Sequence, residues 1–351
     1  MIRIGIICPS EIAFRRFMPA LKKANGKFEF VGIAVASPEE WFGNLYGISN
    51  NAITEQQRSE REKAESFIEI YGGRIFNSYK SILESESIDA IYIPLPPALH
   101  YKWAKMALRY GKHVFVEKPS TTCAEETADL IKIAKEKGLT LHENYMFVYH
   151  RQLREIQDVV ESGEIGDIRL YRISFGFPRR APNDFRYIKS LGGGALLDAG
   201  GYTIKYATYL IGQTAKLTTA QVNYIDEFEV DMFGSATMVN HEGVTAQLAF
   251  GMDNDYKCEI EIWGSNGTIT SNRILTAPPN FVPSYTLKKN QELETRDLSS
   301  DDTFEKSIEC FYQCINDESK RVDNYLIIQR QADLISQFKK LAVYQGEQDE
   351  R

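Results

Sequence analysis

A chain of 351 residues has room for about two domains at roughly 150 residues each. With 41 Lys plus Arg against 48 Asp plus Glu it carries a net charge of −7, and a composition 43% hydrophobic and 25% charged excludes a disordered chain or a small disulfide-stapled scaffold. The acidic balance argues against a nucleic-acid partner, and no apolar run reaches the ~18 residues of a membrane span. The five cysteines are scattered, with no CxxC and no Cys/His cluster, so a reduced cytoplasmic setting without a metal site is expected. Met1-Ile2-Arg3-Ile4-Gly5 enters a strand-like segment directly, with no secretory leader pattern.

Taken in chain order, the first 145 residues alternate strand and helix. Apolar runs at 3–7, 28–35, 88–93, 113–116 and 139–142 read as strands, and helices are expected over 12–22, 99–110 and 125–137. Continuous apolar strands joined by helices imply a parallel sheet covered on both faces, hence a doubly wound α/β domain over 1–145. The stretch 39–62 is longer than an ordinary link and reads as a solvated excursion, with a local elaboration near the cofactor site as the alternative. Past residue 150 a helix at 151–162 precedes a strand at 168–177, a Pro- and Arg-rich loop, and a Gly-rich helix start at Gly192. Strands at 217–224, 228–238, 244–251, 257–263 and 267–271 predict an α+β domain over 146–351 with an open, mainly antiparallel sheet, closed by helices at 304–316 and 324–344. The free face of that sheet is expected to be apolar and to pair with a second copy, giving a homodimer or homotetramer.

Doubly wound sheets bind ligands at the carboxyl ends of their strands, and the first turn normally reads G-x-G-x-x-G/A. Here Cys8 and Ser10 stand in the first two glycine places and Ala13 in the third. The turn and helix start, Cys8, Ser10, Glu11, Ile12, Arg15 and Arg16, are the candidate pyrophosphate site, with the Ser10 hydroxyl and the two arginines compensating for the lost glycines. The second strand ends Val35-Ala36-Ser37-Pro38. No carboxylate is expected where it repels a 2′-phosphate, and Ser37 can donate to one, so NADP(H) is favoured and NAD(H) is the alternative.

Glu117-Lys118-Pro119 ends another strand and points a lysine toward the nicotinamide crevice. Gly192 to Tyr202 opens a helix on which Asp198 and Tyr202, four apart, share a face. A carboxylate, a phenol and a lysine brought together form a proton-transfer group for an alcohol–ketone pair. A surface ion pair, a dipole-compensating Asp and a core Tyr are the bland alternatives.

These segments resemble the Gfo/Idh/MocA oxidoreductase family over nearly the whole length. Ile91 to His100, with Pro94, Leu95 and Pro96, resembles its fourth-strand signature, and Glu117-Lys118-Pro119 its lysine motif. Glu143-Asn144-Tyr145-Met146-Phe147 with His150 resembles its E-x-F-M…H segment, and Gly192 to Tyr202 its GGGxLLDxGxH helix, with Tyr202 where many members have His. Within the family the likeness extends furthest to sugar-nucleotide 3-ketoreductases of deoxysugar biosynthesis, through Asp184 to Tyr187, Val244 to Met252 and Asn272 to Pro279.

The resemblance implies a Rossmann domain and hydride transfer between nicotinamide C4 and a hexose ring carbon. It makes Tyr202 the general acid, Lys118 the group that bonds the same oxygen, and Asp198 the residue that orients them. Pro94, Leu95, Pro96, His100, Glu117, Lys118 and Asn144 join the cofactor site. Arg179, Arg180, Arg186 and Tyr187 lie on a loop suited to a substrate diphosphate, while Tyr145 and Phe147 are candidates to stack on sugar or nicotinamide, with core packing as their alternative. A free sugar or cyclitol is the other substrate class. A non-catalytic, cofactor-binding regulatory protein is the third reading, favoured by the altered glycine turn.

Overall fold

The computed structural model describes residues 1–24 and 26–349, in two compact units. The first comprises Met1–Thr121, Glu125–Asn144 and Ser307–Ile328. In it β1 (Ile2–Ile7), β2 (Phe28–Ala34), β3 (Arg74–Phe76), β4 (Ala90–Ile93), β5 (His113–Glu117) and β6 (Leu141–Asn144) form a parallel sheet in the order β3-β2-β1-β4-β5-β6. The β1 pairing skips one residue on β2 between Ile4 and Gly5. A wide helical turn, Ala13–Phe17, runs into α1 (Met18–Lys23). Then follow α2 (Pro38–Phe42), α3 (Asn50–Tyr71), α4 (Tyr79–Glu84), α5 (Pro97–Arg109) and α6 (Ala124–Lys137). All four β4 side chains are buried, as a strand covered on both faces requires.

The stretch 39–62, expected to be a solvated excursion, is mostly exposed, and most of it is helix. Ser37 caps α2 and Ser49 caps α3, each accepting a backbone N–H three residues on. Gln56, Glu60, Ala64 and Phe67 form the buried stripe of α3, and Phe67 meets Phe14 edge-on at 5.0 Å. The charged residues of α3 hid this stripe, which is only four residues wide in a 22-residue helix.

The second unit comprises Thr122–Ala124, Tyr145–Lys306 and Gln329–Arg351. α7 (Arg151–Glu161) precedes β7 (Ile168–Gly176), and α8 (Gly201–Ile211) precedes β8 (Lys216–Tyr224), β9 (Asp231–Val239), β10 (Thr245–Gly251), β11 (Lys257–Gly264), β12 (Thr268–Asn272), β13 (Ser284–Lys289) and β14 (Glu292–Asp297). The eight strands run β14-β13-β12-β11-β7-β10-β9-β8, antiparallel except that β7 and β10 are parallel. Alternation puts Tyr171, Ile173, Phe175, Leu248, Phe250 and Ile260 into the core. β13 and β14 were not expected, and nearly every residue of β14 is exposed, so it lacks alternation. The chain closes with α9 (Thr303–Asn316) and α10 (Glu318–Asp349), which return to the first unit over Ser307–Ile328, a return that a division at residue 145 does not include.

The free face of this sheet is not the apolar surface expected. Thr286, Thr270, Glu261, Arg172, Gln247 and Thr237 pair in one row across six strands. Arg172 is bound to Glu261 at 2.7 Å and to Gln247 at 3.2 Å. Trp263 and Phe233 are exposed apolar exceptions on it. Threonine and paired charges satisfy the outward pleat with water, so an oligomer formed there has no broad apolar face to bury.

Candidate active site

In the first unit the turn after β1 keeps the shape of a glycine turn without the glycine. Cys8 lies in the left-handed region at φ 74°, a conformation that costs a residue with a Cβ roughly 1–2 kcal/mol. Burial pushes its thiol up to about 12, so it is neither a nucleophile nor an anion beside a phosphate. Ser10 Oγ accepts from Ala13 N at 3.2 Å and so caps the helix start. Glu11 is paired with Arg15 at 2.5 Å, which offsets its charge, and Ile12 is exposed there. Arg16, one residue on, is partly buried.

At the end of β2 the two acids that follow the strand, Glu39 and Glu40, fold back beside Ser37. Ser37 Oγ donates to Glu39 Oε2 at 3.0 Å, because its capping box draws the following acids back over the helix start. Glu40 is held by the backbone N–H groups of Ser37, Tyr79 and Lys80 at 2.8–2.9 Å, while Glu39 is exposed.

Pro94 and Leu95 are buried after β4, and Pro96 caps α5. His100 is fully buried rather than open to a ligand. Its Nδ1 lies 2.7 Å from Pro119 O and its Nε2 2.6 Å from Leu95 O, so the ring ties two turns together. The Lys118–Pro119 peptide is cis. Burial holds the His100 pKa down to about 4 from 6.5, against the pull of the two carbonyls, and His113 is held to about 4 in the same way. Only the unfolded chain binds these protons as pH falls from 6.5 toward 4. The stability His100 contributes is therefore complete above pH 6.5 and lost on the way to pH 4, about 3 kcal/mol in all. Urea midpoints at pH 7 and pH 5 should show the loss, and His100→Asn should reduce it; an equal loss in the variant refutes this assignment.

Glu117 accepts at Oε1 from Tyr92 Oη and from Asn144 Nδ2, both at 2.7 Å. Burial raises its pKa, and those two donors together with Lys118 oppose the rise. Lys118 follows it, partly buried, at the carboxyl end of β5. Tyr92 was not singled out in the sequence, where it reads only as one more apolar residue of a buried strand.

In the second unit the glycines that lead into and open α8 are needed for close approach. A Cβ on Gly194, at φ 117°, would collide with Asp231 Oδ1, and one on Gly201 with Tyr145 Oη. Asp231, from β9, accepts Leu196 N at 2.6 Å and caps the wide turn Leu196–Gly200. Sequence reasoning missed it, since it lies far along the chain with no local signal. Wide turns of this kind often mark functional sites.

Tyr202 packs its ring against Tyr145 at 5.3 Å, Phe147 at 5.4 Å and Phe175 at 5.1 Å, and its hydroxyl reaches Met146 Sδ at 3.9 Å. Tyr145 and Phe147, candidates for stacking on a ligand, are fully buried and hold the Tyr202 ring in place. One turn before it, Asp198 accepts from Arg186 Nε at 2.7 Å, and Arg186 also pairs with Asp184 at 3.2 Å. Arg179 is fixed by Asp253 at 2.8 and 2.9 Å and by Glu227 at 3.1 Å. Arg180 alone of the three keeps an exposed guanidinium outside a carboxylate pair, 5.1 Å above the Phe177 ring. Tyr187 is buried, its hydroxyl accepting from Arg180 N at 2.7 Å. Among the described residues no group of His, Cys, Asp or Glu is placed to hold a metal ion, and no helix is long and apolar enough to cross a membrane.

A parallel sheet whose order reverses beside β1, with a tight turn after β1 and a lysine at a strand end, has the arrangement of a dinucleotide-binding α/β domain. Residues 2–145 match the model of the oxidoreductase family with an NAD-binding Rossmann fold, and residues 153–270 match the Gfo/Idh/MocA C-terminal domain. The chain belongs to the Gfo/Idh/MocA oxidoreductase family. It is 36% identical to a dTDP-3,4-didehydro-2,6-dideoxy-alpha-D-glucose 3-reductase of Actinomadura kijaniata, over 90% of this chain and 87% of that one. It is 33% identical to a protein of the same name in Streptomyces violaceoruber, over 97% and 95% of the two chains. A 3-ketoreductase from Actinomadura kijaniata, solved with NADP and TDP-benzene, superposes with a TM-score of 0.86 at 35% identity, over 97% of this chain and 98% of that one. That protein has also been solved with a tyrosine replaced by phenylalanine and with a lysine replaced by alanine or glutamate.

Proposed function

We propose that this protein is an NADPH-dependent reductase of a keto-sugar nucleotide, acting at C-3 of a dTDP-linked deoxyhexose in deoxysugar biosynthesis. The observation that carries this reading is the end-to-end likeness to the dTDP-sugar 3-reductases in a chain that carries both Lys118 and Tyr202. The turn residues fit the dinucleotide, since Cys8 keeps the glycine conformation and Glu11 is offset by Arg15. Cys8, Ser10, Glu11, Ile12, Arg15 and Arg16 would hold the pyrophosphate, Ser37 the adenosine ribose side, and the β4 and β5 turns the nicotinamide side. The cofactor supplies the hydride. Tyr202 gives its phenolic proton to the carbonyl oxygen as that oxygen becomes an alkoxide, and Lys118 stabilises the developing charge on it. Asp198, locked by Arg186, fixes the turn that presents Tyr202. The test is NADPH oxidation with a dTDP-3-keto-deoxyhexose; turnover of free sugars or cyclitols alone would overturn the nucleotide-sugar reading, and no turnover of either class, with NADPH bound, would favour the regulatory one.

Cofactor choice is expected to follow charge at Ser37. NADPH should bind more tightly than NADH. Glu39→Gln should tighten NADPH binding about 3–5-fold and leave NADH nearly unchanged, since an exposed like charge is worth about 1 kcal/mol. Ser37→Asp keeps the helix cap but should weaken NADPH more than NADH. Fluorescence titration reads both, and tighter NADH binding to the unmodified protein refutes the preference.

Arg180 is the arginine available to the substrate diphosphate. Arg180→Ala should raise KM for the nucleotide sugar about tenfold while kcat changes little, as expected for uniform binding. An unchanged KM removes Arg180 from the substrate site.

A further inference from the structure

A row of buried hydrogen bonds ends on Glu117, and its far members have no part in the chemistry above. Tyr92 and Asn144 both donate to Glu117 Oε1. A carboxylate oxygen with two donors only accepts, so Asn144 must turn its NH2 group toward it and its carbonyl oxygen away. There Ser307 Oγ donates to Asn144 Oδ1 at 2.8 Å. A hydroxyl has one proton, so the 2.9 Å contact between Ser307 Oγ and His142 Nε2 makes His142 the donor. The row therefore has one direction, from His142 through Ser307 and Asn144 to Glu117.

The fold explains why these residues meet. His142 and Asn144 are two apart on β6 and share a face, and Glu117 is the registered neighbour of Asn144 on β5. Ser307 is delivered by α9 from the far end of the chain. His142, Asn144 and Ser307 have no exposed surface, Phe115 packs on His142 at 4.7 Å, and Phe17 stacks on Tyr92 at 3.9 Å. In such surroundings a broken link leaves a polar group unpaired, with no water to replace its partner.

We propose that His142 and Ser307 are positioning residues, which hold Asn144 so that it and Tyr92 keep Glu117 ionised and fixed as the negative partner of Lys118. The proposal rests on the reading of Lys118 as the charged group of the reaction. Burial favours the neutral Glu117 acid and each donor favours the anion, so losing the Asn144 donor tips the balance toward protonation. Three charged groups on β6 and α9 are engaged elsewhere. Glu143 points to the opposite face of β6 and accepts Ser120 N at 2.8 Å, and on α9 Lys306 is paired with Asp301 and Glu309 with Lys27.

The test is carbon-13 NMR of protein labelled at the glutamate carboxyl carbon, with the Glu117 signal assigned by its loss in Glu117→Gln. The Glu117 titration midpoint should rise by about one pH unit in Asn144→Leu, by a smaller step in Ser307→Ala, and return toward the original in Ser307→Thr. Single-turnover hydride transfer near neutral pH should fall up to about tenfold in Ser307→Ala, with NADPH affinity nearly unchanged. Unmoved midpoints in folded Asn144→Leu and Ser307→Ala overturn the proposal. A moved midpoint with an unchanged transfer rate overturns its link to Lys118. A wild type inactive on every keto-sugar overturns the functional reading above, while the midpoints still decide whether the row holds Glu117 ionised.

Discussion

Tyr202→Phe is expected to slow single-turnover oxidation of NADPH by a keto-sugar nucleotide about 10²–10⁴-fold, the usual cost of losing a positioned general acid. The substitution removes one hydroxyl and keeps the ring, which is gripped by Tyr145, Phe147 and Phe175. With the ring and its three contacts kept, stability should change by no more than about 1 kcal/mol, the usual net worth of one hydrogen bond. NADPH affinity should stay within about twofold, because the lost interaction is made only as the alkoxide forms. The rate and the affinity separate the two outcomes. A near-normal rate means that the proton comes from elsewhere, with Lys118 or a water relay next in line. A slow rate with collapsed stability means that the ring packing, not the proton, was lost.

Lys118→Ala is expected to reduce the same rate by about 10²–10³-fold, the range seen when one preorganised charge-stabilising donor is removed. The loss should appear in kcat more than in KM, since developing negative charge exists only in the transition state. If Lys118 and Tyr202 serve one carbonyl oxygen, the double variant should lose less than the product of the single losses. Fully multiplicative losses in the double variant show that the two act on different atoms. Lys118→Arg tests geometry apart from charge, because the planar fork does not reproduce the compact ammonium, and only partial recovery is expected.

Much of this protein can be read from its residues alone. Continuous apolar strands such as 90–93, ending in prolines, require a covered parallel sheet, because a strand buried on both faces has no polar side to show. Strict alternation in β9 to β11 likewise required a half-covered sheet. Local patterns also marked Lys118, Asp198 and Tyr202, since a lysine at a strand end and a Gly-rich helix start are short-range signals.

What the tertiary structure decided is how each polar group is spent. Three arginines on one loop are indistinguishable in sequence, yet Asp253 and Glu227 hold Arg179, Asp184 and Asp198 hold Arg186, and Arg180 remains exposed. The helix α3 hid behind its charged surface, because propensity and net charge do not reveal a narrow buried stripe. The free sheet face proved polar, since which side of a pleat meets water depends on what packs behind it. His100, Asp231 and Ser307 act through partners 19, 35 and 163 residues away. Periodicity carries nothing across such separations; hydrogen-bond direction and burial, both properties of the folded chain, determine what those side chains do.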